Sequence, residues 1–262
     1  MPLAPTDWVR PNVARMYDFF LGGKDYGEAD RVAAAKALEL NPDVRLIARA
    51  NRAFLGRAVR YLAERGVRQF LDIGTGLPSM GNVHEVAQSV HADARTVYVD
   101  NDRVVLSHGR ALLATDDQTV MLDADLRDPG WILTRAAELL DFDRPVAVLL
   151  VAILHFVPDE DGPGEIVGEL MRFLVPGSHL VISHVLETGR TVAATAAYQR
   201  ASSPVVLRGE GQIGAWFADA GTELVAPGLV RVPLWRPEMA DGLARDDAAR
   251  VDVAGGVGRK ER

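Results

Sequence analysis

Three short stretches of the 262-residue chain place carboxylates at the ends of apolar runs. The first is Phe70-Leu71-Asp72-Ile73-Gly74-Thr75-Gly76-Leu77-Pro78. Two glycines one residue apart let the chain turn sharply and let a ligand approach the backbone, although a plain tight turn uses the same pair. A dinucleotide site prefers G-x-G-x-x-G running straight into a helix, whose N-terminus neutralises pyrophosphate. Here position 79 is Ser, and the next helix signal comes only at Asn82, with Glu85 placed to complete a capping box. Such a loop is not shaped for close phosphate approach, and Asp72 beside it suits a cationic ligand group. S-adenosylmethionine carries an ammonium and a sulfonium and no phosphate.

The second stretch, Val97-Tyr98-Val99-Asp100-Asn101-Asp102, puts Asp100 28 residues after Asp72. An acid there accepts hydrogen bonds from both hydroxyls of a ribose, a role common to sites for NAD and for S-adenosylmethionine. The alternative is a helix N-cap; ribose binding goes to Asp100 and capping to Asp102. The third stretch is Leu122-Asp123-Ala124-Asp125-Leu126. An acid here accepts from an adenine amino group while the next backbone N–H donates to a ring nitrogen, or else it is an exposed turn carboxylate. Asp125, nearer the loop, is the better of the two. The set decides: acids after three successive apolar runs converge on one rim of a sheet.

That convergence requires parallel strands. Apolar runs at 67–73, 96–99, 119–122, 146–154 and 179–183 alternate with helical stretches near 83–91, 102–114, 129–140 and 163–174. This alternation marks a parallel sheet covered on both faces, and ligands of such sheets bind beyond the carboxyl ends of the strands. A helix over 213–220 then precedes strand candidates at 223–226 and 229–234, with Pro227-Gly228 reading as a hairpin turn. Upstream, Val13, Met16, Tyr17, Phe20 and Leu21 form one face of a helix capped by Asn12 and stopped by Gly22-Gly23. A second helix covers 28–40, and a third opens at Asn41-Pro42-Asp43, carries Ile47, Ala50, Phe54, Ala58 and Leu62 on one face, and ends at Gly66. Residues 1–10 read as a loose arm. From Pro237 charged residues and glycine displace the apolar spacing, which predicts a frayed tail. The chain thus divides into a helical extension or lid (1–66), an α/β ligand-binding domain (67–236) and a flexible tail (237–262).

The composition, 48% apolar and 25% charged, is that of a soluble globular protein. With no cysteine, disulfides, thiol catalysis and Cys-based zinc sites are excluded. The net charge is −7, and even the most basic region, 1–65, holds only 11 Lys/Arg against 8 Asp/Glu. That balance argues against general nucleic-acid binding. No basic cluster followed by an apolar run marks a signal peptide. The apolar run at 146–154 is too short for a bilayer, which takes about 20 residues, so no membrane association and a cytoplasmic protein are expected. The six histidines lack metal-binding spacing, so no metal is expected.

On these residues the chain resembles a class I S-adenosylmethionine-dependent methyltransferase. More narrowly, Pro11-Asn12-Val13-Ala14-Arg15-Met16-Tyr17-Asp18-Phe19-Phe20-Leu21-Gly22-Gly23-Lys24-Asp25 resembles the opening signature of the actinobacterial S-adenosyl methyltransferase family, formerly a domain of unknown function. The stretch from Asp72 to Pro78, Tyr98-Val99-Asp100-Asn101-Asp102 and Leu154-His155-Phe156-Val157 fit its pattern too, and the likeness covers roughly 8–236. The resemblance implies an α/β, Rossmann-like fold with a mainly parallel seven-stranded sheet whose last strand is antiparallel, in accord with the hairpin. It also implies that Asp72, Gly74 and Gly76 border the methionine part of the cofactor. Asp100 would hold the ribose, Asn101 flank adenine, Asp125 with Leu126 read the adenine edge, and Ala152 line the sulfonium side. Pro78 stands where many members of the wider superfamily have a third glycine.

Tyr17 is either core packing or part of a lid that folds over the cofactor, with Gly22-Gly23 as its hinge; on the lid reading Tyr17 and Gly22 join the cofactor site. Arg15, Arg49 and Arg52 are each candidates for the cofactor carboxylate, or else solvated or surface-paired arginines. Methyl transfer from a sulfonium needs an aligned nucleophile and a dry pocket, and a base only if the acceptor must lose a proton. His155 is the candidate base and His184 a second; the alternative for each is a histidine bonded to backbone at a strand end. The expected activity is methyl transfer to a small-molecule acceptor roofed by 186–211. A non-catalytic S-adenosylmethionine-binding regulator is an alternative. A nicotinamide-dependent oxidoreductase is a weaker one, because Tyr198 is followed at position 202 by Ser rather than Lys.

Overall fold

In the computed structural model, Asn12 accepts hydrogen bonds from the N–H groups of Ala14 and Arg15 and so starts α1 (Val13–Leu21). Gly22, at φ +87°, ends it. The structure describes residues 8–79, 81–114, 116–199, 201–239 and 245–261. The first seven residues of the expected arm and 240–244 of the expected tail lie outside these. Helices α2 (Glu28–Leu40) and α3 (Val44–Ala63) follow. Arg15 is fully buried against Asp30, 2.7 Å away, and Asp30 also accepts from the N–H groups of Asn12 and Gly27. This ion pair pins α1 to α2. Arg15 is therefore neither solvated nor available to a ligand, unlike either sequence expectation.

The alternating region then runs β1 (Gln69–Ile73), α4 (Val83–Gln88), β2 (Arg95–Asp100), α5 (Arg103–Leu112) and β3 (Thr119–Asp123). It continues through α6 (Pro129–Ala136), β4 (Ala147–Val151), α7 (Pro163–Arg172) and β5 (His179–Val185). The last part holds α8 (Gly189–Ala194), α9 (Glu210–Asp219), β6 (Thr222–Leu224), β7 (Val230–Arg231) and β8 (Val253–Lys260). The sheet order is β3-β2-β1-β4-β5-β8-β6, with β7 also on β8. The first five strands are parallel, and every pairing made by β8 is antiparallel. One face of the sheet packs on α6, α7 and α9 through Ile132, Leu170 and Trp216. The other packs on α3, α4 and α5 through Phe54, Val83 and Val105. A third apolar cluster joins α1, α2, α3 and the single turn around Ala197.

Two expectations need correction. The tail does not fray over 253–260: β8 enters the sheet between β5 and β6, and Val253, Ala254 and Val257 are buried. Its glycines mark crowding rather than flexibility. A Cβ at Gly258 would lie 2.4 Å from Thr222 Oγ1, and one at Gly255 would lie 2.8 Å from Val232 Cγ1. Buried Asp252, paired with Arg190 and Arg231, fixes where the strand begins. The hairpin is also absent, because β6 and β7 each pair with β8 and not with each other. The sheet thus has eight strands rather than seven.

Candidate active site

A cavity of about 610 Å³ opens at the carboxyl ends of β1 to β4, within the roughly 300–1,000 Å³ of small-molecule and cofactor sites. Asp72, Gly74, Gly76, Asp100, Asn101, Asp125, Leu126, Ala152, His155 and Tyr17 all line it. Gly22 does not line it: it and Gly23 cap α1 by donating to Phe19 O and Asp18 O, so the Gly-Gly pair is a hydrogen-bonded cap. Gly23 also leaves the space that the Asp18 carboxylate fills.

The loop after β1 is held from its neighbour. Gly74 and Thr75 both donate to Val99 O, at 2.8 and 3.2 Å. Gly74 sits at φ +76°, and a Cβ there would lie 2.5 Å from the Ile153 side chain, so only glycine fits. Asp100 Oδ2 accepts from Gly76 N–H at 3.0 Å, while its Oδ1 accepts from Asn101 and Asp102 N–H. Desolvation raises the Asp100 carboxyl above its ordinary value, against the pull of these N–H groups. Asp102 caps α5 through Val104 and Val105 N–H, as its position suggested. The buried Asp72 is pushed up to about 7 by desolvation, with Arg52 opposing the rise and Asp100 adding to it. Arg52 lines the cavity and donates to Asn82 Oδ1 at 3.1 Å, whereas Arg49 is exposed away from it. Asp125 accepts from Arg127 and from Asn101 Nδ2, and the Arg127 hydrogen bonds lower its carboxyl to about 2.

Ala152, just beyond β4, has φ +56°, a strained value for a residue with a Cβ. Its N–H donates to Ser183 O and to Ser183 Oγ. Ser183 Oγ donates to Asn51 Oδ1 at 2.6 Å, Asn51 Nδ2 donates to Tyr17 Oη at 3.0 Å, and Tyr17 Oη donates to Ala48 O at 3.0 Å. A continuous hydrogen-bonded chain thus links α1 to the strained Ala152, which lines the cavity. Sequence spacing alone does not single out Asn51 and Ser183. The available signal was a polar residue on the apolar face of α3 and another inside the apolar run of β5.

His155 is buried, and its Nδ1 has no hydrogen-bond partner among the described residues. Burial, with the adjacent His184 and Arg208, holds its imidazole well below the ordinary value, so it is neutral. His184 is committed to structure: Nδ1–H donates to Val185 O at 2.7 Å and Nε2 accepts from Arg208 at 3.1 Å. The buried Arg208, which no sequence motif marks, also donates to Leu154 O, Val157 O and Asp159, clamping the loop that carries His155. Of the 186–211 segment, Tyr198, Ser202, Ser203 and Pro204 line the cavity; Ser202 N–H donates to Pro11 O and its Oγ accepts from Val13 N–H.

The profile of a family described as S-adenosyl methyltransferase matches residues 3–261. The chain is 40% identical to a candidate methyltransferase from Thermobifida fusca, over 98% of both chains, with a TM-score of 0.90. It is likewise 40% identical to a DUF574 family protein from Streptomyces avermitilis, over 97% of this chain and 99% of that one, also at 0.90. Human N-acetylserotonin methyltransferase, solved with S-adenosylmethionine, shares the fold at 12% identity and a TM-score of 0.52, over 96% of this chain and 63% of that one. No curated protein matches the chain.

Proposed function

The chain belongs to the S-adenosyl methyltransferase family and is an S-adenosylmethionine-dependent methyltransferase; on that premise we propose how its own residues hold the cofactor and which kind of acceptor it serves. The observation that carries the proposal is that Asp72, Asp100 and Asp125 line one cavity in strand order, and Arg52 lines it too. Opposite charges at Asp72 and Arg52 suit the ammonium and carboxylate of a methionine moiety. Gly74, where no side chain fits, suits close backbone contact. Asp100 accepts the ribose hydroxyls with the lone pairs its loop bonds leave free. Asn101 flanks adenine, and Asp125 with the Leu126 N–H reads its amino edge. Ala152 borders the sulfonium side.

When bound, S-adenosylmethionine supplies a methyl group made electrophilic by its sulfonium. The protein's part is to orient and to exclude water. Tyr17 on α1 and Asn51 on α3 support Ala152 through Ser183, so the lid and the transfer position share one set of hydrogen bonds. Neutral His155 is able to take a proton at Nδ1 from an acceptor that must lose one. The acceptor is a small molecule, because the cavity is covered by Tyr198 and Ser202 to Pro204 and lined by α1 and α3. No described helix is long and apolar enough to cross a membrane, and with the absence of cysteine we place the activity in the cytoplasm.

Calorimetry with S-adenosylmethionine, S-adenosylhomocysteine and NAD tests the reading. The two sulfur nucleosides should bind and NAD should not. Asp100→Ala should weaken S-adenosylhomocysteine by about 1–3 kcal/mol, roughly 5- to 150-fold. Unchanged affinity would remove the ribose role, and NAD binding with S-adenosylmethionine silent would overturn the whole assignment.

A further inference from the structure

We propose that the acceptor is a neutral, flat, hydroxyl-bearing aromatic molecule, seated on an apolar ledge that β5 and β8 build beyond the tip of β4. The inference rests on reading the β1–β3 rim as the cofactor site. The ledge comes from a step in the sheet. β4 ends at Val151, opposite Ser183, whereas β5 runs on to Val185, which pairs with Val253 of β8. Two further strand residues extend the wall by about 7 Å at ~3.3 Å each. Val185 and Val253 both line the cavity, as do Ile47 of α3 and Tyr17 of α1. Phe156 and Tyr198 complete this end, their ring centroids 6.5 Å apart and tilted by 44°.

Charge is distributed unevenly around the cavity. Among the described residues, its charged side chains come from α1, α3, the β1–β3 tips, the start of α5 and the loops after β3 and β4. None of the described charged side chains that line it comes from β5, β8, Tyr198 or 201–204. A carboxylate, phosphate or ammonium seated on the ledge would lose its water without gaining a partner among these described side chains, which is strongly unfavourable. An aromatic ring gains contact area and edge or offset stacking there. His155 lines the same cavity and its Nδ1 has no hydrogen-bond partner among the described residues; a polar atom buried without a partner is rare and costly, so a ring hydroxyl that reaches it gains an acceptor there.

The test compares 2-naphthol with 2-naphthoate, which share a ring system and differ in charge, by calorimetry on the full chain saturated with S-adenosylhomocysteine. Naphthol should bind, and naphthoate should bind at least tenfold more weakly. Tyr198→Ala and Phe156→Ala, both outside the sheet, should each weaken naphthol at least fivefold and leave S-adenosylhomocysteine within twofold. Equal binding of the two naphthyl compounds overturns the proposal. So does naphthol binding that neither variant affects, or normal S-adenosylhomocysteine binding with no naphthol binding. A chain that fails to bind S-adenosylhomocysteine sinks the cofactor reading, and this inference falls with it.

Discussion

Asp72→Asn should strengthen the fold while weakening cofactor binding. Asp72 is 5% exposed, and burial raises its carboxyl to about 7, against about 3.9 in an unfolded chain. Between about pH 4 and pH 7 the folded state therefore binds more protons than the unfolded one. Stability must fall as pH rises through that window, because the folded protein is forced to hold a desolvated charge. About three pKa units at ~1.4 kcal/mol each bring the cost to roughly 4 kcal/mol above pH 7. Asparagine has the same shape without the charge, and it forgoes only the attraction of Arg52, which already works against the rise. At about 2–4 °C per kcal/mol for a chain of this size, the variant should melt on the order of 10 °C higher at pH 8.5. It should melt near wild type at pH 4.5. Thermal scans of both proteins across that range read the effect. In calorimetry at pH 8, the lost partner for the cofactor ammonium should weaken S-adenosylhomocysteine by about 1.5–3 kcal/mol, roughly 10- to 150-fold. A variant no more stable than wild type at pH 8.5, or a difference that does not shrink toward pH 4.5, would refute the argument that this carboxylate is held at a cost.

Two further outcomes follow from the packing. Gly258→Val puts a side chain where Thr222 Oγ1 would be 2.4 Å and Phe217 Cδ1 2.8 Å from its Cβ, and should cost about 1–3 kcal/mol, read as a lower urea midpoint; an unchanged midpoint would mean that β8 is not packed as described. Ser183→Ala removes the link between Asn51 and Ala152 and should destabilise by about 1–3 kcal/mol while weakening S-adenosylhomocysteine, with Ser183→Thr recovering both; loss of stability with cofactor affinity intact would uncouple the hydrogen-bonded chain from the site.

What the sequence made legible was set locally. The bounds of α1 and α2 follow from caps and apolar spacing, and the three rim carboxylates follow from lying just beyond apolar runs. What it hid depends on partners far along the chain. Gly255, Gly256 and Gly258 look like a broken tail until Val232, Phe54, Leu224 and Phe217 are seen to press against them. Pro227-Gly228 is a turn by type, but its flanking strands find a third strand, β8, to pair with. Nothing local announces the partners of the buried Arg15 and Arg208, which are Asp30 and the carbonyls of Leu154 and Val157. The Asn51–Ser183 bond spans 132 residues, beyond the reach of any periodicity.

These distant pieces also explain how one cavity can meet two demands. The rim of β1–β3 carries Asp100 held by backbone N–H groups and Asp125 held by Arg127, beside the buried Asp72, fixed dipoles and charges suited to a cofactor that does not vary. The far end is assembled from α1, α3, Tyr198, Ser202 to Pro204 and Val253 of β8, none of which belongs to the β1–β3 rim. Side chains at Ile47, Phe156, Tyr198 and Val253 can therefore change the shape of that end without disturbing Asp72, Asp100 or Asp125. Ala152 lines the same cavity, and its strained backbone is held by Ser183 and, through Asn51, by Tyr17. An acceptor that displaces α1 would loosen that support, whereas one that lets Tyr17 seat against Ala48 and Asn51 keeps it. Fit at the apolar end is thereby converted into alignment at the transfer position, so discrimination among acceptors should appear in the rate of transfer as well as in binding.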